Sequence, residues 1–210
     1  MKNYTRIILV ALLLLTPLPS LADVGSTWLR RWNSEPDRKQ KLKESHVLFK
    51  ASKDASLQDL LAVGFKQTDG SFLLGRVIWR EKAYYPLAGF AQVLSDKNFT
   101  TQSDQEREAT FLTLLQQTYG LLGTKVFTGS PLSRYDRPQR IVGNRGPDDS
   151  HRFQVWFYKF PLQTESGEWR EVLYSVSADG KKVRSKTLGS YRPTAEKLRS
   201  FPRPSRESFE

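Results

Sequence analysis

The fold is decided by the stretch HRFQVWFYKF at 151–160, together with WREVLYSVS at 169–177 and KVRSKTL at 182–188. All three segments are rich in β-branched and aromatic residues, which favour strands. Asp179-Gly180 is a two-residue hairpin signal between the last two segments, and Ser166-Gly167 offers a similar turn between the first two. The stretch therefore predicts a three-strand antiparallel meander over about 151–188.

The two turns predict which side chains share a face of the meander, because successive side chains of a strand point to opposite faces. The later turn places Val176 opposite Val183. The earlier turn places Phe157 opposite Val176. Both registers agree on one apolar face, which is the predicted core face. This face carries Phe153, Val155, Phe157, Val172, Tyr174, Val176 and Val183.

The opposite face of the predicted meander combines aromatic rings with cations. Trp156 and Tyr158 lie on its first strand. Lys182, Arg184 and Lys186 lie on its third strand. Aromatic rings stack on flat groups and cations bind phosphates or carboxylates, so these five residues form the predicted binding surface.

Other interpretations of that face stay open. One interpretation is that the first half of the chain covers this face. A second is that the aromatic residues are ordinary strand formers, and a third is that the cations protect an edge strand from aggregation. A bulge at Ser166-Gly167 would also turn the first strand over and separate its rings from the cations.

Residues 103–122 predict the one long helix of the protein. Ser103 and Glu106 form a capping box, and the acidic first turn suits the helix dipole. An apolar stripe at spacings of three and four supplies a face for the core, at Ala109, Leu112, Leu115 and Tyr119.

Earlier in the chain, Asp69-Gly70 predicts a hairpin turn, and the mostly apolar run 72–79 predicts a buried strand. We therefore expect an α+β fold with a single antiparallel sheet that ends in the meander. The sheet packs against the helix at about 103–122, with short extra helices around it.

The N-terminus has the pattern of a secretory signal peptide over 1–22. Lys2 and Arg6 precede the apolar run Ile7–Leu15, and prolines then lead to small residues. Nine apolar residues are far short of the ~20 that span a bilayer. We predict cleavage near Ala22-Asp23 and export to the periplasm or the extracellular space.

The rest of the chain is predicted to form one domain at 23–189. Its first part, 23–45, is a polar helical segment, and the Pro/Arg-rich segment 190–210 is a flexible tail. No later stretch of the sequence is long and apolar enough for a transmembrane helix.

Composition excludes some functions and favours others. The chain has no cysteine, which excludes thiol nucleophiles, thiolate zinc sites and iron–sulfur clusters. Its formal net charge of +11 favours anionic partners, such as a wall polymer, lipid head groups or an envelope protein. Nucleic acid is a less favoured partner for an exported chain.

The sequence contains no catalytic or cofactor motif that we identify, so no cofactor and no metal are predicted. We favour a non-enzymatic binding or structural module for an anionic or glycan envelope partner. The alternative is a secreted hydrolase with a carboxylate or metal site near Asp148–His151, since Asp148, Asp149 and His151 have suitable side chains.

Overall fold

A computed structural model of the 210-residue chain describes residues 21–36, 41–68, 70–127, 144–146, 148–159 and 168–191. The chain divides into two compact units, Met1–Lys41 and Leu42–Glu210. The first unit contains helix α1, Leu21–Ser34, on which Trp28 and Trp32 lie one turn apart with ring centroids separated by 5.3 Å. Among the described residues, no helix is long and apolar enough to cross a membrane.

Most of the predicted signal peptide and of the predicted tail lies outside the described residues. The signal peptide covers 1–22, of which 1–20 are not described, and the tail covers 190–210, of which 192–210 are not described. Both stay predictions.

Sheet A occupies the first half of the larger unit. Its four strands pair antiparallel in the order β1 (Val47–Ala51), β2 (Leu60–Lys66), β3 (Phe72–Trp79) and β4 (Lys82–Tyr84). Phe65 faces Leu73 across the β2–β3 hairpin, which confirms the predicted turn around Gly70 and the predicted strand 72–79.

Sheet B occupies the second half. Its strands are β5 (Thr124–Phe127), β6 (Asn144–Arg145), β7 (His151–Lys159), β8 (Glu168–Val176) and β9 (Val183–Tyr191). They pair antiparallel in the order β5-β7-β8-β9, and β6 also pairs with β7. The predicted meander is thus present as β7, β8 and β9.

The α+β class is confirmed, but the prediction of a single sheet is wrong. In the described parts of the chain, sheets A and B share no strand. Hairpin turns identify strands that pair with their neighbours in sequence, whereas pairing between distant strands depends on long-range packing.

Two helices lie between the sheets in sequence, α2 (Pro86–Asp96) and α3 (Asp104–Thr118). They contain 11 and 15 residues, so the prediction of one long helix is wrong. The capping box at the start of α3 is confirmed: the Ser103 backbone N–H donates to the Glu106 carboxylate at 2.7 Å, and the Ser103 Oγ accepts from the Glu106 N–H.

Helix α3 is shorter than predicted because the last predicted turn forms a 3-10 helix instead of an α-helix. Tyr119 caps it, and a 3-10 turn follows at Gly120–Leu122. Gly123 then adopts φ 85°, a left-handed conformation that glycine tolerates and that ends a helix.

The core lies where α2 and α3 meet both sheets. Phe111 on α3 stacks on Phe153 of β7, with ring centroids 4.6 Å apart, and meets Tyr174 of β8 edge-on at 5.3 Å. The predicted core face of the meander is confirmed, since all of its members are buried: Phe153, Val155, Phe157, Val172, Tyr174, Val176 and Val183.

The predicted register is correct for one strand pair and wrong for the other. Val176 faces Val183 as predicted. Phe157 faces Arg170, however, and the partner of Val176 is His151, six residues before Phe157. A shift by an even number of residues keeps every side chain on its face, so the core face survives the error.

Candidate functional site

The outer face of sheet B is the face of β7, β8 and β9 that points away from the core. Its described side chains are Arg152, Gln154, Trp156, Glu171, Leu173, Ser175, Arg184 and Lys186. All of them are exposed or half-buried. The interpretation that the first half of the chain buries this face therefore finds no support among these residues.

The observed register sets which side chains lie side by side. Arg152 and Arg184 flank Ser175 on the central strand. Strands lie about 4.8 Å apart, so the Cα atoms of these two arginines lie about 10 Å apart. Lys186 lies beside Leu173 in the next row. Three cations thus share one end of the face.

Trp156 lies farther from these cations than the sequence predicts. Its neighbour on β8 is Glu171, whose carboxylate accepts a hydrogen bond from the Gln154 side chain. The predicted register would place Trp156 in the row of Lys182. The side chain of Tyr158 lies outside the described part of the structure.

The turn before β9 holds the first cations of this region. The Asp179 carboxylate accepts from the Ser177 hydroxyl at 2.6 Å and from the Lys181 N–H at 3.0 Å. The hydrogen bond from Ser177 lowers the pKa of Asp179 below its ordinary value. Lys182, which is exposed, donates its N–H to the Ser177 Oγ at 3.0 Å. These hydrogen bonds fix the conformation of the turn that carries Lys182.

Arg152 belongs to this face and was not predicted from the sequence. Its Nη2 lies 3.8 Å from the Asp148 Oδ1, and its guanidinium packs over Gly146. A Cβ at position 146 would lie 2.5 Å from the Arg152 Nε, so the glycine leaves room for the arginine. The alternation of side chains along β7 could have indicated that Arg152 lies on this face. The incorrect register, however, did not place Arg152 in the same row as Arg184.

The segment Asp148–His151 does not bring its titratable side chains together. His151 lies on the core face, buried, with its ring edge-on to Phe99 at 5.6 Å. Asp148 instead contacts Arg152 on the outer face and accepts from the Ser150 hydroxyl at 2.6 Å. No group of three or more potential metal ligands occurs in the described residues. The hydrolase alternative gains no support from this arrangement and stays a prediction.

A second exposed surface lies on sheet A. Leu73 is 51% exposed and Tyr85 is 66% exposed. The Arg76 guanidinium lies between two rings, 3.8 Å from the Tyr85 centroid and 6.0 Å from the Phe65 centroid. The sequence indicated a buried strand at 72–79, because this run is nearly all apolar apart from Arg76. The cation–π contacts hold the arginine against the sheet.

Over the described residues, the fold and the outer face define the class: an α+β protein with two antiparallel sheets and a basic strand at the margin of one of them. Comparisons with protein-family models, with curated proteins and with solved structures found no match. The function is therefore argued from the residues of the site alone.

Proposed function

We propose that this protein is exported and binds an anionic envelope partner through the outer face of sheet B, without catalysis. The observation that carries the proposal is the cluster formed by Arg152, Arg184 and Lys186. These cations share one face that is not buried. Glu171 is the one carboxylate among the described side chains of its strands, and the Asp148 carboxylate lies 3.8 Å from the Arg152 guanidinium. The partner carries phosphate or carboxylate groups, on a lipid head group, a wall polymer, an anionic glycan or an envelope protein.

The spacing of the cations suits a partner with repeated charges. The Cα atoms of Arg152 and Arg184 lie about 10 Å apart, a distance close to the Debye length of about 8 Å at physiological ionic strength. Each cation therefore acts largely on its own nearest anion, and several anions must bind together to give useful affinity. Binding should weaken steeply as the salt concentration rises.

Export rests on the N-terminal sequence pattern. The basic start, the short apolar run and the small residues before Ala22-Asp23 support cleavage at that point. N-terminal sequencing of the protein recovered from cell envelopes and culture medium tests this part of the proposal. A recovered chain that begins at Met1 would contradict it.

The binding test is charge reversal at the β9 end of the face. The triple variant Lys182→Glu, Arg184→Glu, Lys186→Glu is compared with wild type for binding to vesicles that contain phosphatidylglycerol. A cation near an anionic surface contributes about 1 kcal/mol, so the three substitutions should weaken binding at least about a hundredfold. Soluble poly(glycerol phosphate) in a parallel assay separates a wall polymer from a lipid head group.

The matched control carries the same change in net charge on sheet A. Lys50, Lys66 and Lys82 are all exposed on its strands, and all three are changed to glutamate. If the control variant loses as much binding as the β9 variant, net charge alone explains the affinity and the proposed face is wrong. Circular dichroism shows whether each variant keeps the fold.

A further inference from the structure

In the part of the chain that the structure describes, strand β9 is an open edge of sheet B. Among the described residues it pairs with β8 alone, and residues 184–190 are all exposed. Helix α2 contacts β9, but this contact leaves those side chains accessible. A strand that is exposed on both faces and along one edge is a template for another strand.

The hydrogen-bond pattern shows which backbone groups point outward. The Ser177 N–H donates to the Lys182 carbonyl at 2.9 Å, so this pair is hydrogen-bonded between β8 and β9. Hydrogen-bonded and non-hydrogen-bonded pairs alternate in antiparallel sheets. The N–H and C=O groups of Val183, Ser185 and Thr187 therefore point away from β8, toward the open edge.

A β-bulge limits the length of this edge. Val172 faces Thr187 while Glu171 faces Gly189, so Leu188 is the additional residue in β9. Bulges twist a strand and interrupt regular pairing. The regular part of the edge is Val183–Thr187, which accommodates an added segment of about five residues.

We propose that this edge receives an extended, acidic segment of a partner protein as an additional strand of sheet B. The inference rests on the proposed function and names the partner class of the same basic face. Backbone hydrogen bonds to Ser185 and Thr187 would supply affinity, as in other strand-addition complexes. Specificity would come from carboxylates placed beside Arg184 and Lys186, because opposite charges on neighbouring strands attract.

A second copy of this chain is a poorer occupant of the edge. Antiparallel pairing of two β9 strands centred on Ser185 would place Arg184 of each copy opposite Lys186 of the other. Like charges directly opposite one another destabilise a strand pair. The same cations that repel a second copy attract an acidic segment.

The test uses an eight-residue peptide in which glutamate alternates with threonine, titrated against the full chain by calorimetry. The decisive variant is Ser185→Pro, which removes an outward N–H but leaves the hydrogen bonds to β8, since proline is tolerated at such positions of edge strands. We expect it to weaken peptide binding at least about tenfold. Its binding to phosphatidylglycerol vesicles should equal that of wild type.

The same peptide with N-methylated backbone amides provides a second arm that leaves the chain unaltered. It keeps every carboxylate but cannot donate along the strand, so it should bind at least about tenfold more weakly. This arm decides the question if Ser185→Pro fails to fold or also loses vesicle binding.

Each result separates the two proposals. If Ser185→Pro or the N-methylated peptide binds as wild type does, strand addition is overturned, while anion binding by the face stands. If charge reversal leaves vesicle binding unchanged, the proposed function itself is overturned. Self-association of the wild-type chain that Ser185→Pro abolishes would assign the edge to a second copy and overturn the acidic segment.

Discussion

Phe111 on α3 joins the helices to sheet B, and Phe111→Ala tests that role. The side chain is 0% exposed, stacks on Phe153 with an interplanar angle of 22°, and meets the edge of Tyr174. Alanine would remove the ring from between α3 and the core face of β7 and β8. The surrounding side chains belong to two strands and a helix, so they can refill the space only in part.

The expected loss of stability follows from this burial. Truncation of a buried phenylalanine to alanine costs about 3–5 kcal/mol, part of which is the stacking with neighbouring rings. Domains of this size are usually stable by about 5–15 kcal/mol, so the variant should remain folded but lose a large share of its stability. We expect the free energy of unfolding to fall by about 4 kcal/mol.

Urea unfolding followed by circular dichroism measures the change, and an unaltered slope would show that the folded state keeps its compactness. Leu112→Ala is the matched control, because Leu112 follows Phe111 on α3 but is only partly buried. Its loss should be about 1–2 kcal/mol. If Phe111→Ala costs no more than the control, the aromatic stack does not hold α3 on the sheet and the reasoning is refuted.

Two further predictions concern Tyr174 and Gly146. Burial raises the pKa of Tyr174 well above 10.0, so the folded state holds this proton more tightly than the unfolded state. The stabilisation that this proton gives should therefore be fully present below about pH 10 and decrease above it, and Tyr174→Phe should reduce that decrease in urea unfolding. Gly146→Ala should displace the flexible end of Arg152, change stability by less than about 1 kcal/mol, and weaken vesicle binding; unchanged binding would remove Arg152 from the site.

Local patterns predicted local structure well. The capping box of α3, the turn at Gly180 and the two faces of the meander all depend on residues close in sequence. Each depends on a hydrogen bond or a steric preference that involves only residues close in sequence. The core face was correct even though one register was wrong, because side chains alternate with a period of two.

Long-range relations were predicted less well. The sequence does not show that β2 and β3 belong to a separate sheet, and it does not show where β7 meets β8. The observed register between β7 and β8 places Trp156 farther from the cations than the predicted register does, and it places Arg152 opposite Ser175. The proposed binding face therefore depends on one strand pairing that no short motif specifies.

The amino-acid sequence by itself determined the α+β class, the strands of the meander, their core face and the strongly basic charge. Only the tertiary structure decided that the described residues form two sheets, that Arg152 and Arg184 lie in the same row of the outer face, and that β9 is an open edge among these residues. The physical reason is that turns and alternation are properties of neighbouring residues, whereas sheet order and exposure depend on how distant segments share one core.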